Sequence, residues 1–294
     1  MFIGSPDSAT PGNYDEDLAA ETIIAAIESG STLIDTAPIY GSTGSERIIG
    51  QVLASRPDLA DRATVVTKVG SVPGERDYSY DAVMRHVEGS QERLRLDTFA
   101  LLSIHDAMDY PMDQVMADNG ALGALRKLQD EETVRYIGTG MNDPHTTEPY
   151  IETGEFDVCV VPNAWSLLNR LGAERILPAA EKHDVGILLA QPLERGLLAV
   201  GASSGIEFHR RSFSEACLAH VTEIEAICAH HSIPLLALAL QYELLHPRVS
   251  AVIPGARTPE EAVQNARASE VEIPEALWEE LLPILRHWEL GVDR

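Results

Sequence analysis

Short apolar runs alternate with longer amphipathic segments along this chain. The runs have the length of single strands, and the segments between them carry apolar residues at helical spacing. This alternation is typical of βα units and predicts a parallel sheet. The predicted strands are Thr32–Asp35, Thr64–Lys68, Phe99–His105, Val134–Gly138, Val158–Pro162, Ile187–Gln191 and Ala251–Pro254.

The amphipathic segments predict helices, and several begin close to a proline, where the missing N–H is harmless. These helices are Asp17–Ser29, Gly44–Ser55, Tyr80–Leu94, Leu122–Asp130, Glu174–His183, Ser214–His231, Ile233–Leu245, Pro259–Ala268 and Pro274–Glu289. Repeated βα units without a composition break predict one α/β domain over residues 1–294, a (β/α)8 TIM barrel. The alternative is an open doubly wound sheet, which would need a Gly-rich phosphate turn that the chain lacks. MFIGS at the start is a candidate remnant of an eighth strand.

Three of the predicted strands end in a titratable residue. Asp35 and His105 end their strands, Lys68 ends a third, and Tyr40 follows Asp35 in the next loop. Parallel barrel strands release their last side chains onto one face, so we expect these four groups to converge there. The longest irregular stretches, Gly70–Asp77, His105–Gly120 and Gly196–Phe213, also follow strands and are expected on that face.

These four residue types form a proton-transfer set. The pKa of a tyrosine hydroxyl is about 10, too high for ready proton exchange near neutrality. A nearby ammonium lowers that pKa, and a carboxylate beside the ammonium keeps it charged and oriented. A histidine can orient a carbonyl oxygen by hydrogen bonding. The set predicts proton transfer at an oxygen whose carbon gains or loses hydride.

Four segments resemble the aldo-keto reductases, a family of NAD(P)(H)-dependent oxidoreductases built on a (β/α)8 barrel. IDTAPIYGSTGSERIIG resembles the segment of the catalytic Asp and Tyr, and TKVG and LLSIHDAMD resemble the strands of the Lys and His. VIPGARTPEEAVQN resembles the segment that holds the adenosine end of the cofactor. The similarity implies that Tyr40 donates or accepts the proton while the nicotinamide transfers hydride.

The resemblance also implies cofactor contacts. Asn142, in IGTGMND, resembles the residue that hydrogen-bonds the nicotinamide carboxamide. The other implied positions lie in the loop over the pyrophosphate and in the adenosine segment: Leu193, Gly196, Gly255, Arg257, Glu261 and Asn265.

Three residues of the adenosine segment bear on the choice between NADP and NAD. The planar fork of Arg257 suits a 2′-phosphate. Gly255 stands where relatives often carry Lys, and Glu261 where they often carry Arg or Gln. Glu261 is suited to accept a hydrogen bond from a ribose hydroxyl. We therefore expect NADP(H) to be slightly favoured, with NAD(H) left open.

The chain departs from the family pattern near the expected substrate. Gly140, Ala190 and Pro162 stand where many relatives have Ser, Tyr and Gln. Trp165 is a candidate substrate-binding residue that would supply a pocket wall, and filling of the core is the alternative. DYSYDAVMRHVEGSQERLRLD together with GMN resembles the aldose (fucose or threo-aldose) and pyridoxal dehydrogenase branch. This implies a sugar or another small hydroxyl or carbonyl compound as substrate.

A second hypothesis is that the chain is a cofactor-binding regulatory subunit of a larger complex. The intact set of Asp, Tyr, Lys and His argues against it. The family usually opens with a β-hairpin that closes the bottom of the barrel, and we expect this hairpin to be missing here.

The charge balance excludes some partners. The chain has 46 acidic and 22 basic residues and a net charge of −24, which disfavours binding to nucleic acid or to an anionic membrane. No apolar run reaches the roughly 18 residues of a membrane span, and the N-terminus lacks a leader pattern, so we expect a cytoplasmic protein. It is expected to be a monomer or a weak homo-oligomer.

The cysteine and histidine spacing does not predict a metal site. Cys159, Cys217 and Cys228 have no pairing or ligand spacing and are expected to be buried thiols. His230 and His231 lie near the end of a predicted helix, where a cation suits the helix dipole.

Overall fold

The computed structural model describes residues 14–162, 164–203 and 212–289. Contacts along the chain divide it into two compact units. The first unit comprises residues 1–141, 153–160 and 255–263, and the second comprises residues 142–152, 161–254 and 264–294. The single domain over 1–294 stays a prediction. The segment MFIGS and residues 204–211 of the Gly196–Phe213 stretch lie outside the described residues.

The first unit contains a parallel sheet in which β1 (Leu33–Asp35), β2 (Thr64–Val69), β5 (Phe99–His105), β6 (Val134–Gly140) and β7 (Val158–Pro162) pair in that order. Two further strands, β3 (Ser71–Val72) and β4 (Glu75–Arg76), form a short antiparallel hairpin directly after β2. Strand β7 runs on into the second unit.

Helices of the first unit follow the strands, as the alternating pattern predicts. They are α1 Glu16–Glu28, α2 Gly44–Ser55, α3 Pro57–Ala60, α4 Tyr80–Leu94, α5 Met112–Val115 and α6 Ala121–Asp130. In α6, for example, Ala121, Leu125 and Leu128 are buried at intervals of four and three residues, so one face of the helix joins the core.

The second unit carries most of the remaining helices and a pair of parallel strands. Its elements are α7 Pro144–Glu152, α8 Leu171–Glu174, α9 Ile176–Lys182, β8 Gly186–Ala190, α10 Leu197–Val200, α11 Glu215–His231, α12 Leu235–Glu243, β9 Val249–Ile253, the end of α13 Pro259–Ala268, and α14 Glu275–Leu281. Strands β8 and β9 pair with each other. Helices α10, α11, α12 and α14 contribute buried residues to one hydrophobic cluster.

Every predicted strand is found, with bounds that differ by no more than two residues. Two predicted helices differ more. The helix predicted over Glu174–His183 is divided at Arg175, whose φ of −136° lies outside the helical region. The helix predicted over Pro274–Glu289 ends at Leu281, since Pro283 in the following 3-10 turn cannot donate to a continuing helix.

Several short elements were not predicted: the one-turn helices α3, α5, α8 and α10, helix α7 and the β3–β4 hairpin. Helix α7 carries Pro149 in its interior and Pro144 at its first position, a pattern that normally indicates a loop. The β3–β4 hairpin lies inside the stretch Gly70–Asp77, which was expected to be irregular.

The three cysteines are free and buried, as predicted. Among the described residues, no single helix is both long and apolar enough to cross a membrane. The pair α11 and α12 meets this criterion only jointly, and the two helices are bent by 104°.

Candidate active site

The pairing register of the first unit explains why the ends of β1, β2 and β5 present their polar side chains to one face. Asp35 is the register partner of Val66, and Lys68 lies two residues beyond Val66 on the same strand. Lys68 is in turn the partner of Ser103, two residues before His105. Side chains two residues apart on a strand share a face, so Asp35, Lys68 and His105 follow one another across the sheet.

Lys68 and Asp35 form a buried ion pair. The Lys68 ammonium donates to both carboxylate oxygens of Asp35 at 2.7 Å, and to the carbonyl oxygen of Thr36 at 2.8 Å. The two side chains are only 3% and 7% exposed. Burial alone would lower the pKa of Lys68, but the charges of Asp35 and Tyr40 raise it above its ordinary value. Lys68 is therefore a permanently charged group near neutrality.

Tyr40 is held by a compact loop between β1 and α2. Its N–H donates to the carbonyl of Ala37 at 3.0 Å, and its own carbonyl accepts from Ser45 N–H at 3.3 Å. The next three residues, 41–43, all have positive φ values, which turn the chain back sharply into the helix. The Tyr14 hydroxyl lies where a side chain at Gly44 would project, so a larger residue there would displace the Tyr14 side chain.

The Tyr40 side chain lies between the Lys68 ammonium and the His105 ring. The Lys68 Nζ is 4.9 Å from the centroid of the Tyr40 ring, and the Tyr40 and His105 rings meet edge to face with their centroids 5.7 Å apart. Burial raises the pKa of Tyr40 above its ordinary value, the Lys68 charge opposes this rise, and the Asp35 charge adds to it. Tyr40 is therefore protonated at neutral pH and can donate a proton.

His105 is 7% exposed and uncharged at neutral pH. Burial and the positive charge of Lys68 hold its pKa well below the ordinary value. Its Nδ1 atom has no hydrogen-bond partner among the described residues, and its Nε2 atom lies 3.8 Å from a carboxylate oxygen of Asp106. A neutral imidazole has one donor nitrogen and one acceptor nitrogen, so His105 can hydrogen-bond a substrate oxygen.

Tyr78 is a residue of this site that the sequence reasoning missed. Its hydroxyl donates to the backbone carbonyl of His105 at 2.6 Å, which fixes the end of β5. Its ring packs against Gly70, whose φ of 92° and lack of a side chain admit the ring. Tyr78 lies in a loop without periodic pattern, so no local signal distinguishes it from the neighbouring Tyr80.

In the adenosine segment, which lies mostly in the first unit, Arg257 and Glu261 bind each other. Arg257 donates to the Glu261 carboxylate from Nη2 at 2.6 Å, from Nε at 3.0 Å and from its backbone N–H at 2.7 Å. The Thr258 hydroxyl accepts from Glu261 N–H at 3.3 Å, so Thr258 and Glu261 form a pattern close to a capping box at the start of α13. The hydrogen bond with Glu261 raises the pKa of Arg257. Gly255, in the same unit, lies two residues before Arg257.

The remaining predicted residues lie in the second unit. Gly196 follows Leu193 in the loop after β8, with a φ of 101° and no atom within 4 Å of the place where a Cβ would lie. An open backbone of this kind fits close approach of a pyrophosphate. Trp165 stacks on Tyr242 with a centroid distance of 5.4 Å and packs against the hydrophobic cluster of this unit, as Leu193 also does. Asn142 and Asn265 belong to this unit as well.

Comparison with known proteins identifies the class. The model of the Aldo/keto reductase family matches residues 2–285. The chain is 30% identical over 291 residues to a D-threo-aldose 1-dehydrogenase of a Pseudomonas species, with 90% of this chain and 87% of the relative covered. It is 27% identical over 290 residues to a pyridoxal 4-dehydrogenase of Microbacterium luteolum, with 86% and 84% covered.

The fold has a close counterpart among solved structures. A glycerol dehydrogenase of Gluconobacter oxydans superimposes with a TM-score of 0.74 at 27% identity, over 94% of this chain and 88% of that chain. The predicted (β/α)8 barrel class and the predicted aldose and pyridoxal dehydrogenase branch are confirmed by these matches.

The chain belongs to the aldo/keto reductase family. It is an NAD(P)(H)-dependent oxidoreductase that interconverts a carbonyl and an alcohol. The alternative of a regulatory subunit finds no support, since the relatives named here are enzymes.

Proposed function

We propose that Tyr40 is the general acid and base of this oxidoreductase, that Lys68 tunes it, that Asp35 holds Lys68, and that His105 orients the substrate oxygen. The observation that carries this proposal is the buried Lys68–Asp35 pair beside Tyr40, with an uncharged His105 ring on the other side of the tyrosine.

The proton balance follows from these assignments. During reduction, the Tyr40 hydroxyl gives its proton to the carbonyl oxygen while the carbonyl carbon receives hydride, which the nicotinamide supplies when bound. The phenolate left on Tyr40 is stabilised by the adjacent Lys68 ammonium. Oxidation runs the same transfer backwards, so Tyr40 then has to begin as the phenolate.

The residues proposed to hold the cofactor are Asn142 at the carboxamide, the Leu193–Gly196 loop at the pyrophosphate, and Gly255, Arg257, Glu261 and Asn265 at the adenosine. Because Glu261 already accepts hydrogen bonds from Nε and Nη2 of Arg257, a 2′-phosphate has to compete with a carboxylate for the same guanidinium. We propose that both cofactors bind and that the preference for NADP(H) is only slight.

The proposed substrate is a sugar or another small polyhydroxy compound. Support comes from relatives named as a D-threo-aldose 1-dehydrogenase and, in Arabidopsis thaliana, an L-galactose dehydrogenase. Trp165 is proposed as a wall of the substrate pocket, although its stacking on Tyr242 also serves the core. A monomer or weak homo-oligomer in the cytoplasm stays a prediction.

The first test is Tyr40→Phe, assayed over a panel of aldoses, pyridoxal and methylglyoxal with either cofactor. We expect kcat to fall by roughly 10²–10⁴-fold, because general acid and base catalysis contributes that much. The dissociation constants of NADPH and NADH, measured by quenching of tryptophan fluorescence, should stay within about threefold of wild type, since about 0.6 kcal/mol corresponds to that factor.

Tyr136→Phe is the matched control, because Tyr136 is a 41% exposed tyrosine on β6 of the same unit. Its kcat should equal that of the wild type. Retention of activity in Tyr40→Phe would remove Tyr40 from the proton-transfer role. If neither cofactor bound to the wild-type protein, the assignment of the cofactor residues would be wrong.

A further inference from the structure

Two adjacent histidines at the end of α11 face a carboxylate from α14, in the second unit. The Nε2 atom of His231 lies 3.2 Å from Oε1 of Glu280, and the Nδ1 atom of His230 lies 3.5 Å from Oε2. One ligand atom from each of the three side chains lies within 4.8 Å of those from the other two. Among the described residues this is the group of His, Cys, Asp and Glu side chains that meets the geometry of a metal site.

The separations match those of a metal coordination shell. With Zn–N and Zn–O distances of about 2.0–2.2 Å, the edge of a tetrahedron around zinc is about 3.4 Å long. His231 Nε2 lies 3.2 Å from Oε1 and His230 Nδ1 lies 3.5 Å from Oε2, so each nitrogen is about one such edge from a carboxylate oxygen, but the two oxygens differ. His230 is 71% exposed, so its ring can rotate to bring the two nitrogens closer.

The His231–Glu280 contact is short, but its geometry is poor for a hydrogen bond. Nε2 of His231 is buried and has no hydrogen-bond partner of acceptable geometry among the described residues, although Oε1 of Glu280 is 3.2 Å away. The nitrogen is thus close to the carboxylate oxygen but does not form a hydrogen bond with it. A cation between the two atoms would satisfy both.

The backbone that presents these side chains is fixed by packing. Ile224 and Cys228 of α11 and Leu277 and Leu281 of α14 belong to one buried cluster. The site lies at the carboxyl end of α11, where the helix dipole favours a positive charge. A cation is also favoured by the net charge of −24.

We propose that His230, His231 and Glu280 bind a divalent metal ion of the zinc class, with the remaining position open to water. Two imidazoles and one carboxylate suit Zn²⁺, Ni²⁺ or Cu²⁺, whereas Mg²⁺ and Ca²⁺ prefer oxygen ligands. The site clamps the end of α11 to α14. None of its three residues belongs to the set proposed for proton transfer or for holding the cofactor. The expectation of no metal site was based on local spacing, which cannot reveal Glu280, 50 positions away along the chain.

The test is calorimetric titration with zinc chloride of the full chain, produced without a histidine tag and freed of metal by a chelator that is then removed. We expect wild type to bind about one equivalent, and His231→Ala and Glu280→Gln to bind at least tenfold more weakly. Both variants change partly exposed side chains, so they should fold as wild type does. Zinc should also raise the Tm of wild type and leave that of Glu280→Gln unchanged.

His183→Ala is the matched control. His183 forms the comparable pair with Glu152, at 3.1 Å, but lacks a second histidine, so this variant should bind zinc as wild type does. Cobalt should give an absorption spectrum of tetrahedral type in wild type and in His183→Ala only. Absence of zinc binding in wild type would overturn the proposal, as would equal zinc affinity in wild type, His231→Ala and Glu280→Gln. Either result would mean that the three groups form an ion pair only.

Discussion

Two of the ion pairs of the first unit have similar contact distances but opposite surroundings. Lys68 and Asp35 meet at 2.7 Å with side chains 3% and 7% exposed. Arg257 and Glu261 meet at 2.6 Å with side chains 42% and 32% exposed. The distances do not distinguish the two pairs, whereas the access of water does.

This difference in exposure to water determines how much each pair contributes to the stability of the fold. A buried charge loses its hydration, so a partner left alone after mutation is destabilising by about 3–5 kcal/mol. A pair open to water and salt contributes about 0–1 kcal/mol. The buried pair is therefore expected to govern both stability and proton transfer, and the exposed pair to affect only ligands that approach it.

The largest expected effect is that of Lys68→Met. It leaves Asp35 buried without a counter-charge, so the free energy of unfolding in urea should fall by about 3–5 kcal/mol. Activity should fall by about 10²-fold or more, because the tyrosine loses the ammonium that stabilises its phenolate. Arg257→Met, the matched change in the exposed pair, should alter the free energy of unfolding by no more than about 1 kcal/mol.

The double variant Lys68→Met, Asp35→Asn tests whether the lost stability is due to the unpaired charge of Asp35. It removes both charges, so it should be more stable than Lys68→Met alone while remaining inactive. If Lys68→Met were as stable as wild type, the buried pair would be no different from the exposed one.

The pH dependence of the reaction should report the protonation of Tyr40 beside the buried pair. Because burial raises the pKa of Tyr40, only a small fraction is phenolate at neutral pH. In the direction of alcohol oxidation, kcat/KM should therefore rise about tenfold per pH unit and should still be rising at about pH 10, the ordinary pKa of tyrosine. Lys68 stays charged over this range, since its pKa is raised, and His105 stays neutral, since its pKa is lowered.

Initial rates of oxidation between pH 6 and 10 measure this dependence. In the reductive direction the profile should be flat, because Tyr40 already carries the proton. A plateau of the oxidative profile near pH 7 would mean that the Lys68 charge outweighs burial and that Tyr40 is a stronger acid than its surroundings indicate.

The smallest expected effect is that of Glu261→Gln in the exposed pair. Removing the carboxylate frees the Arg257 guanidinium for a 2′-phosphate, so the affinity for NADPH relative to NADH should rise by up to about tenfold, which is about 1.4 kcal/mol. Fluorescence titration with both cofactors measures this ratio. Glu260→Gln, which removes the neighbouring exposed charge from α13, should leave the ratio unchanged. A similar rise in both variants would indicate a general charge effect.

The strands and the polar ends of β1, β2 and β5 could be predicted from the sequence because both depend on local order. Apolar runs predict strands. Side chains alternate between the two faces of a strand, and this alternation together with a parallel register brings Asp35, Lys68 and His105 to one face. Tyr78 could not be predicted as a residue of the site, since its contact with His105 joins positions 27 apart in a segment without pattern. The same holds for Glu280, which meets His230 and His231 only through the packing of α11 on α14.

The burial of Lys68 has a consequence for handling the protein. The chain has three lysines, and the other two, Lys127 and Lys182, have side chains 50% and 63% exposed. Amine-directed reagents reach exposed amines, so they should attach at these two side chains while the Lys68 amine stays unmodified. Labels or solid supports can therefore be coupled through amines without altering the ammonium next to Tyr40.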